Sequence, residues 1–315
     1  MQQHEEKWLD YFDGEGYRAV EPLGSGMEGA VYRLDDGTVA KVWGERSAEE
    51  LRRLGRFYAH LDQAGLPFAT PLYHEVREVF GQAVTVERYL RGVPLDDKTF
   101  SGPEKWPTVL SCLGTVLGAF AEVSDAPELR VLPVMAEKRA LWADSASWSQ
   151  ALSRLIADRA GRFGDQLRVK VADFDAKLSR LHRALAALDD VRPALVHGDL
   201  IPGNILVGAD GTPTAVLDFG FFSTAGDPAF DAAVTASVFD MYGPGAQNTE
   251  ARIDRELSAR FGHDPGRLAV YRAAYAVITS NAYDPLGQDG HFQWCANMLN
   301  RTSVSEALCR APQGC

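Results

Sequence analysis

Apolar positions along this 315-residue chain change period repeatedly, and each change predicts a different element. Residues 1–18 read as a polar helix with an aromatic side made by Trp8, Tyr11 and Phe12. From Leu23 to Trp43, short β-favouring runs alternate with turn residues. The order is strand, glycine turn, strand, tight turn at Asp35-Asp36-Gly37, then strand Val39–Trp43. Helical spacing takes over at Ser47–Leu61, where Leu51, Leu54, Phe57, Tyr58 and Leu61 share a side. A hairpin is expected over 72–79 and 82–90, turning at Gly81. Pro103 to Leu188 reads as helical, with core faces at Val109, Leu113, Val116, Leu117 and Phe120 and again at Phe174, Leu178, Leu181 and Leu185.

A second hairpin follows. Ile205–Val207 and Ala215–Leu217 flank the turn chemistry of Gly208-Ala209-Asp210-Gly211. Asp227-Pro228 announces the next helix, an N-cap residue followed by proline at the first helical position. Three more helices are predicted at Thr249–Phe261, Pro265–Tyr283 and His291–Leu308. Gly92 and Pro94 mark a boundary by composition, so the chain divides into 1–91 and 92–315.

Composition narrows the class. The chain is 46% hydrophobic and 24% charged, as globular proteins are. No apolar run reaches the ~18 residues of a membrane span, and the N-terminus lacks the basic start and apolar core of a secretory signal. Cys112, Cys295, Cys309 and Cys315 form no metal-spaced pair, so reduced thiols and a cytoplasmic location are expected. The net charge of −11 disfavours nucleic acid and favours cationic partners.

The second hairpin carries chemistry. Asp199 and Asn204 precede its first strand and Asp218 ends its second. Pairing the strands brings Asn204 and Asp218 side by side, with Asp199 on the incoming loop. Two carboxylates and an amide oxygen suit a hard cation such as Mg2+. A remaining carboxylate can orient a hydroxyl and accept its proton.

His197-x-Asp199-x-x-x-x-Asn204 followed by Asp218-Phe219-Gly220 resembles the catalytic and metal-binding loops of protein-kinase-like phosphotransferases. Gly198, Pro202-Gly203-Asn204 and Gly226-Asp227-Pro228-x-x-Asp231 are similar to the aminoglycoside phosphotransferase and choline kinase branch. The resemblance implies an α+β, two-lobed protein-kinase-like fold with a small β-rich N-lobe and a larger, mainly helical C-lobe. It implies that Asp199 positions the acceptor hydroxyl, that Asn204 and Asp218 hold magnesium, and that His197 packs the loop. Gly24, Ser25, Gly26 and Gly29 would cover the phosphates of ATP or GTP, the phosphate donor. Lys41 would contact the α- and β-phosphates, Val31 and Val39 the adenine face, and the backbone from Glu87 to Tyr89 the adenine edge. A helix glutamate is expected to hold Lys41. Glu45, Glu49 and Glu50 are candidates, and Glu50 lies on the apolar line of Leu54, Phe57 and Leu61. Ser47-x-x-Glu50 is equally a capping box.

Only Phe221 to Gly226 separates Asp218-Phe219-Gly220 from the next helix, and no Ala-Pro-Glu motif follows. There is no room for a peptide-binding activation segment, which favours a small-molecule acceptor. Phe221 and Phe222 stand where relatives often carry a second acid, so no extra metal ligand is expected. Acids crowd the C-terminal part: Asp227, Asp231, Asp240, Glu250, Asp254, Glu256, Asp264, Asp284 and Asp289. Asp231, which could brace the catalytic loop, Asp284 and Asp289 are the acceptor-side candidates. The expected activity is O-phosphorylation of a small, cationic molecule, with an aminoglycoside or tuberactinomycin-like antibiotic leading and a macrolide open. A metabolic kinase for choline, homoserine, a sugar or a fructosamine is the alternative, and a non-catalytic nucleotide-binding module a further one. The protein is expected as monomer or homodimer, with no nucleic-acid or membrane partner.

Overall fold

The computed structural model describes residues 2–310 apart from 18, 19, 27, 28, 35, 36, 97, 136, 189 and 190, with side chains from 6 onward. Met27 and Glu28 of the glycine turn, Asp35 and Asp36 of the tight turn, and Cys315 lie outside the described residues. The chain divides into two compact units, residues 1–93 with 214–217 and residues 94–213 with 218–315.

The first unit is a five-stranded antiparallel sheet in the order β1-β2-β3-β5-β4. Its strands are β1 (Glu21–Gly26), β2 (Gly29–Arg33), β3 (Thr38–Trp43), β4 (Tyr73–Val79) and β5 (Gln82–Arg88). Helix α1 (Gln2–Gly14) buries Trp8 and Phe12 among Tyr32, Leu34, Ala40, Val42, Val84 and Val86. Burying each large apolar side chain contributes roughly 1.5–3 kcal/mol, which holds a helix this short against the sheet. Helix α2 (Ala48–Gln63) packs Ala48 and Leu51 against Trp43 and Ala83. The β4–β5 turn has Phe80 and Gly81 both at positive φ (53° and 78°), the type I′ geometry whose twist matches a hairpin. Residues 214–217 join this unit because Val216 N donates to Ala69 O at 3.0 Å and Ala69 N to Thr214 O at 2.9 Å.

The second unit begins at the short strand β6 (Val93–Pro94) and is mainly helical. It contains α3 (Trp106–Glu122), α4 (Trp148–Lys170), α5 (Phe174–Ala186), β7 (Ala194–Val196), β8 (Ile205–Val207), β9 (Pro213–Val216) up to Pro213, β10 (Thr224–Gly226), α6 (Pro228–Val238), α7 (Ala246–Phe261), α8 (Pro265–Thr279), α9 (Gly290–Leu299) and α10 (Thr302–Arg310). Helices α6 and α8 are buried on nearly every side, pack on each other and form the centre. Among the described residues no helix is long and apolar enough to cross a membrane.

Two helical expectations fail. Residues between α3 and α4 are largely irregular, because Pro127 and Pro133 interrupt the ladder and the backbone is used elsewhere. Met135 N donates to Phe221 O at 2.8 Å, and Trp142 Nε1 donates to Ala225 O at 2.8 Å. The expected helix His291–Leu308 is two helices broken at Asn300. Its amide staples the α4–α5 turn, accepting from Ala172 N (3.0 Å) and donating to Lys170 O (2.9 Å).

Candidate active site

The second unit builds a loop over a buried carboxylate. Strand β7 pairs with β10 and delivers His197, Gly198 and Asp199 at its end. Asp231, in the first turn of α6 and 1% exposed, receives His197 N (2.9 Å) and Gly198 N (2.8 Å), one on each oxygen. Helix α6 is itself held by Asp227, whose side chain accepts Ala229 N at 3.0 Å and pairs with Arg267 and Tyr271. Gly198 has φ +73°, and a Cβ there would stand 2.4 Å from the Phe222 Cβ. A side chain at 198 is therefore excluded both by backbone and by space.

The His197 ring is fully buried against Phe219 (centroids 4.5 Å) and stacks on Phe120 (6.3 Å). Its Nδ1 accepts Asp199 N at 3.3 Å. Ser223 Oγ donates to His197 O (3.1 Å) and accepts Gly220 N (2.9 Å), tying this loop to the one that follows Asp218. His197 thus packs the loop, and Ser223, which motif reading overlooked, is its second brace.

Asp199, Asn204 and Asp218 converge. Asn204 Nδ2 donates to Asp199 O at 2.9 Å, which points the amide oxygen away as an acceptor for a cation. Asp218 sits at φ +59°, a left-handed backbone that costs a non-glycine residue about 1–3 kcal/mol and is held by its surroundings. Burial, then the charges of Asp218 and Asp231, push Asp199 up to about 7. Crowded carboxylates with an amide oxygen are a fitting donor set for magnesium, which takes one or two protein ligands and completes its shell with phosphate and water. Among the described residues no three His, Cys, Asp or Glu side chains form a metal cage, in keeping with such a partial site.

A cavity of about 470 Å³ in the same unit has Asp199 in its wall, with Asp96, Asp240, Tyr242, Tyr275, Tyr283 and His291. Its lining includes no lysine or arginine. Asp240 stood among the acids noted from sequence, whereas the three tyrosines and Asp96 carry no motif. The acceptor-side candidates take other places. Asp231 is the brace beneath the loop. Asp284 spends both oxygens on Leu286 N (2.9 Å) and Gln288 N (2.8 Å). Asp289 caps α9 through Phe292 N at 2.6 Å. Other C-terminal acids are paired: Glu250 with Arg301, and Asp254 with Arg272.

In the first unit, Gly24, Ser25 and Gly26 lie on exposed β1, with Gly26 opposite Gly29. Lys41 on β3 is paired with Val31, and Val39 with Glu87. The Lys41 ammonium lies 3.7 Å from the Trp43 ring centroid, and Thr85 Oγ1 donates to Glu87 Oε1 at 2.9 Å. Tyr89 is half-buried just after β5. Glu50 does not face inward. It is exposed and closes the capping box, accepting Ser47 N (2.8 Å) and Ser47 Oγ (2.7 Å), which hold its carboxyl below the usual range. The N3 position turns the side chain back over the helix end, and that preference overrides the apolar line.

Asp231→Ala leaves two buried N–H groups without acceptors, each worth about 1–3 kcal/mol. The variant is expected to lose roughly 3–5 kcal/mol of stability and most turnover. Denaturant unfolding within ~1 kcal/mol of the parent would remove Asp231 from the role of brace.

The family model described as the phosphotransferase enzyme family matches residues 19–271. No curated protein matches the sequence. Solved structures are similar along nearly the whole length. The GDP-bound aminoglycoside 2′-phosphotransferase-IIIa shows 15% identity and a TM-score of 0.61, covering 98% of this chain and 97% of its own. ADP-bound aminoglycoside phosphotransferase APH(2′′)-Ib shows 14% identity and a TM-score of 0.60, covering 96% and 98%. The macrolide 2′-phosphotransferase MphH from Brachybacterium faecium shows 22% identity and a TM-score of 0.57, covering 93% and 98%. The fold is therefore the two-lobed, kinase-like one. With the family model spanning most of its length and the acid, amide and loop braces in place, the chain belongs to the phosphotransferase enzyme family, as a small-molecule kinase with a hydroxyl acceptor.

Proposed function

We propose that this enzyme transfers the γ-phosphate of ATP or GTP to a hydroxyl of a small cationic molecule, and that the acceptor is an antibiotic of the aminoglycoside or tuberactinomycin-like kind. The observation that carries this reading is the cavity beside Asp199, walled by Asp96, Asp199 and Asp240 with no lysine or arginine in the lining. Such a wall concentrates a polyamine and repels an anionic acceptor. The solved structures it resembles belong to aminoglycoside and macrolide phosphotransferases, which points the same way.

Asp199 orients the acceptor hydroxyl and takes its proton; a pKa near 7 matches a base working near neutral pH. Asn204 and Asp218 would hold magnesium, which supplies neutralising charge to the phosphates. Asp231 and Ser223 keep the loop in one conformation, so little reorganisation accompanies transfer. In the first unit, the glycine strand and Lys41 serve the nucleotide phosphates.

The test is kcat/KM for gentamicin across a salt series. Between about 0.02 and 0.5 M salt, capture is expected to weaken roughly tenfold as charge is screened. A flat response, or faster turnover of a neutral sugar, would overturn the cationic acceptor while leaving phosphotransfer standing.

A further inference from the structure

We propose that Tyr242 is an acceptor-specificity residue offering the lone pairs of its hydroxyl to a substrate ammonium, and that His291 is the positioning residue that turns it that way. The inference rests on the phosphotransferase reading and concerns the same cavity. Tyr242 and Tyr283 line it and are 65% and 64% exposed, whereas His291 is 5% exposed.

The hydrogen bonds around His291 fix its tautomer. Thr279 Oγ1 donates its one proton to Tyr275 O at 2.9 Å. That oxygen can then only accept, so His291 Nε2, 3.0 Å away, carries the ring proton. Cys295 Sγ lies on the same side, 3.5 Å from Nε2. Burial disfavours the imidazolium, and a neutral ring has one N–H. Nδ1 is therefore an acceptor, and its partner at 3.3 Å is the Tyr242 hydroxyl, which must donate. Burial, then Tyr283, Cys295 and Asp289, push the Tyr242 phenol up to about 12, so the proton is retained.

A phenol whose proton is committed to His291 has only lone pairs left for the cavity. Lone pairs match the N–H donors of an ammonium and leave a carbonyl or carboxylate without a partner. The same imidazole meets the Tyr283 ring edge-on (5.2 Å, 86°), so one buried group sets both tyrosines, and their faces suit a cation. Asp289 Oδ2, at the start of the same helix, is a buried oxygen with no hydrogen-bond partner among the described residues and adds negative potential.

The experiment measures steady-state kinetics with gentamicin, kanamycin and streptomycin as acceptors in the full-length enzyme. Tyr242→Phe keeps the ring and removes the oxygen. It is expected to raise the acceptor KM roughly tenfold, more than it lowers kcat, with the KM for ATP within about twofold. His291→Leu has the same signature, whereas His291→Asn, which keeps an oxygen near the Nδ1 position, restores most of the acceptor affinity. An unchanged acceptor KM in Tyr242→Phe overturns the proposal, and so does equal loss in His291→Asn and His291→Leu. Magnesium-dependent ATP hydrolysis without phosphorylation of any of the three amines overturns it too, and leaves phosphotransfer intact. Absence of both activities would instead overturn the phosphotransferase reading.

Discussion

Asp199→Asn is expected to turn over about 10²–10⁴-fold more slowly than the parent while binding nucleotide with similar affinity. The range is what a positioned general base supplies. Asn keeps the shape and the backbone bonds of the loop, including the Asn204 contact to Asp199 O, and removes only the proton acceptor. Near-parental turnover would place the acceptor chemistry on another group. A second consequence follows from the raised pKa. The folded-state value of about 7 lies above the unfolded value, so the native protein binds the extra proton. That contribution to stability is full below about pH 4 and is lost as pH rises through 7. In magnesium-free buffer at pH 8 the loss is on the order of 3–4 kcal/mol. The Asn variant escapes it, so above pH 7 it should be the more stable protein. Parallel unfolding curves from pH 5 to 8 for both proteins, with chelator present, would contradict this origin of the shift.

Asp218→Ala is expected to weaken magnesium-dependent ATP binding by roughly 100-fold or more. Loss of an outer partner of a metal site costs about 10–100-fold, and a direct carboxylate ligand should exceed that. Asn204→Ala is expected to be milder, because a neutral amide oxygen is lost in place of a charge. Calorimetry with and without magnesium separates the two. Binding of Mg-ATP by Asp218→Ala at the parental affinity would mean that the cation is held elsewhere. The left-handed backbone at Asp218 predicts a side effect of Asp218→Gly: it relieves the strain, so any gain in stability would come together with the loss of binding.

The chemistry of this protein was legible before its structure because its functional groups come from one short stretch. Asp199, Asn204 and Asp218 flank a hairpin, and local turn chemistry suffices to order them. The capping box at Ser47 and Glu50, the N-cap at Asp227 and the aromatic side of α1 are likewise local patterns, and the structure has all three. What fills such local roles can still be misjudged when two patterns share a residue. Glu50 satisfies both an apolar line and a cap, and two hydrogen bonds to Ser47 decide for the cap.

The acceptor wall was not legible, because its members are brought together over long sequence distances. Asp96, Asp240, Tyr242, Tyr283 and His291 belong to separate loops and helix ends, and none stands in a motif. Conversely, Asp284 and Asp289 look available in a glycine-rich loop until their oxygens are seen closing turns and capping α9. Charge in the sequence counts acids without saying which are paired, and only packing commits Glu250 and Asp254 to arginines. The sequence alone determined the reaction class, since periodicity and turn residues act over a few positions. Tertiary structure alone decided which side chains face the acceptor and which way their protons point, since both depend on neighbours that only the folded chain supplies.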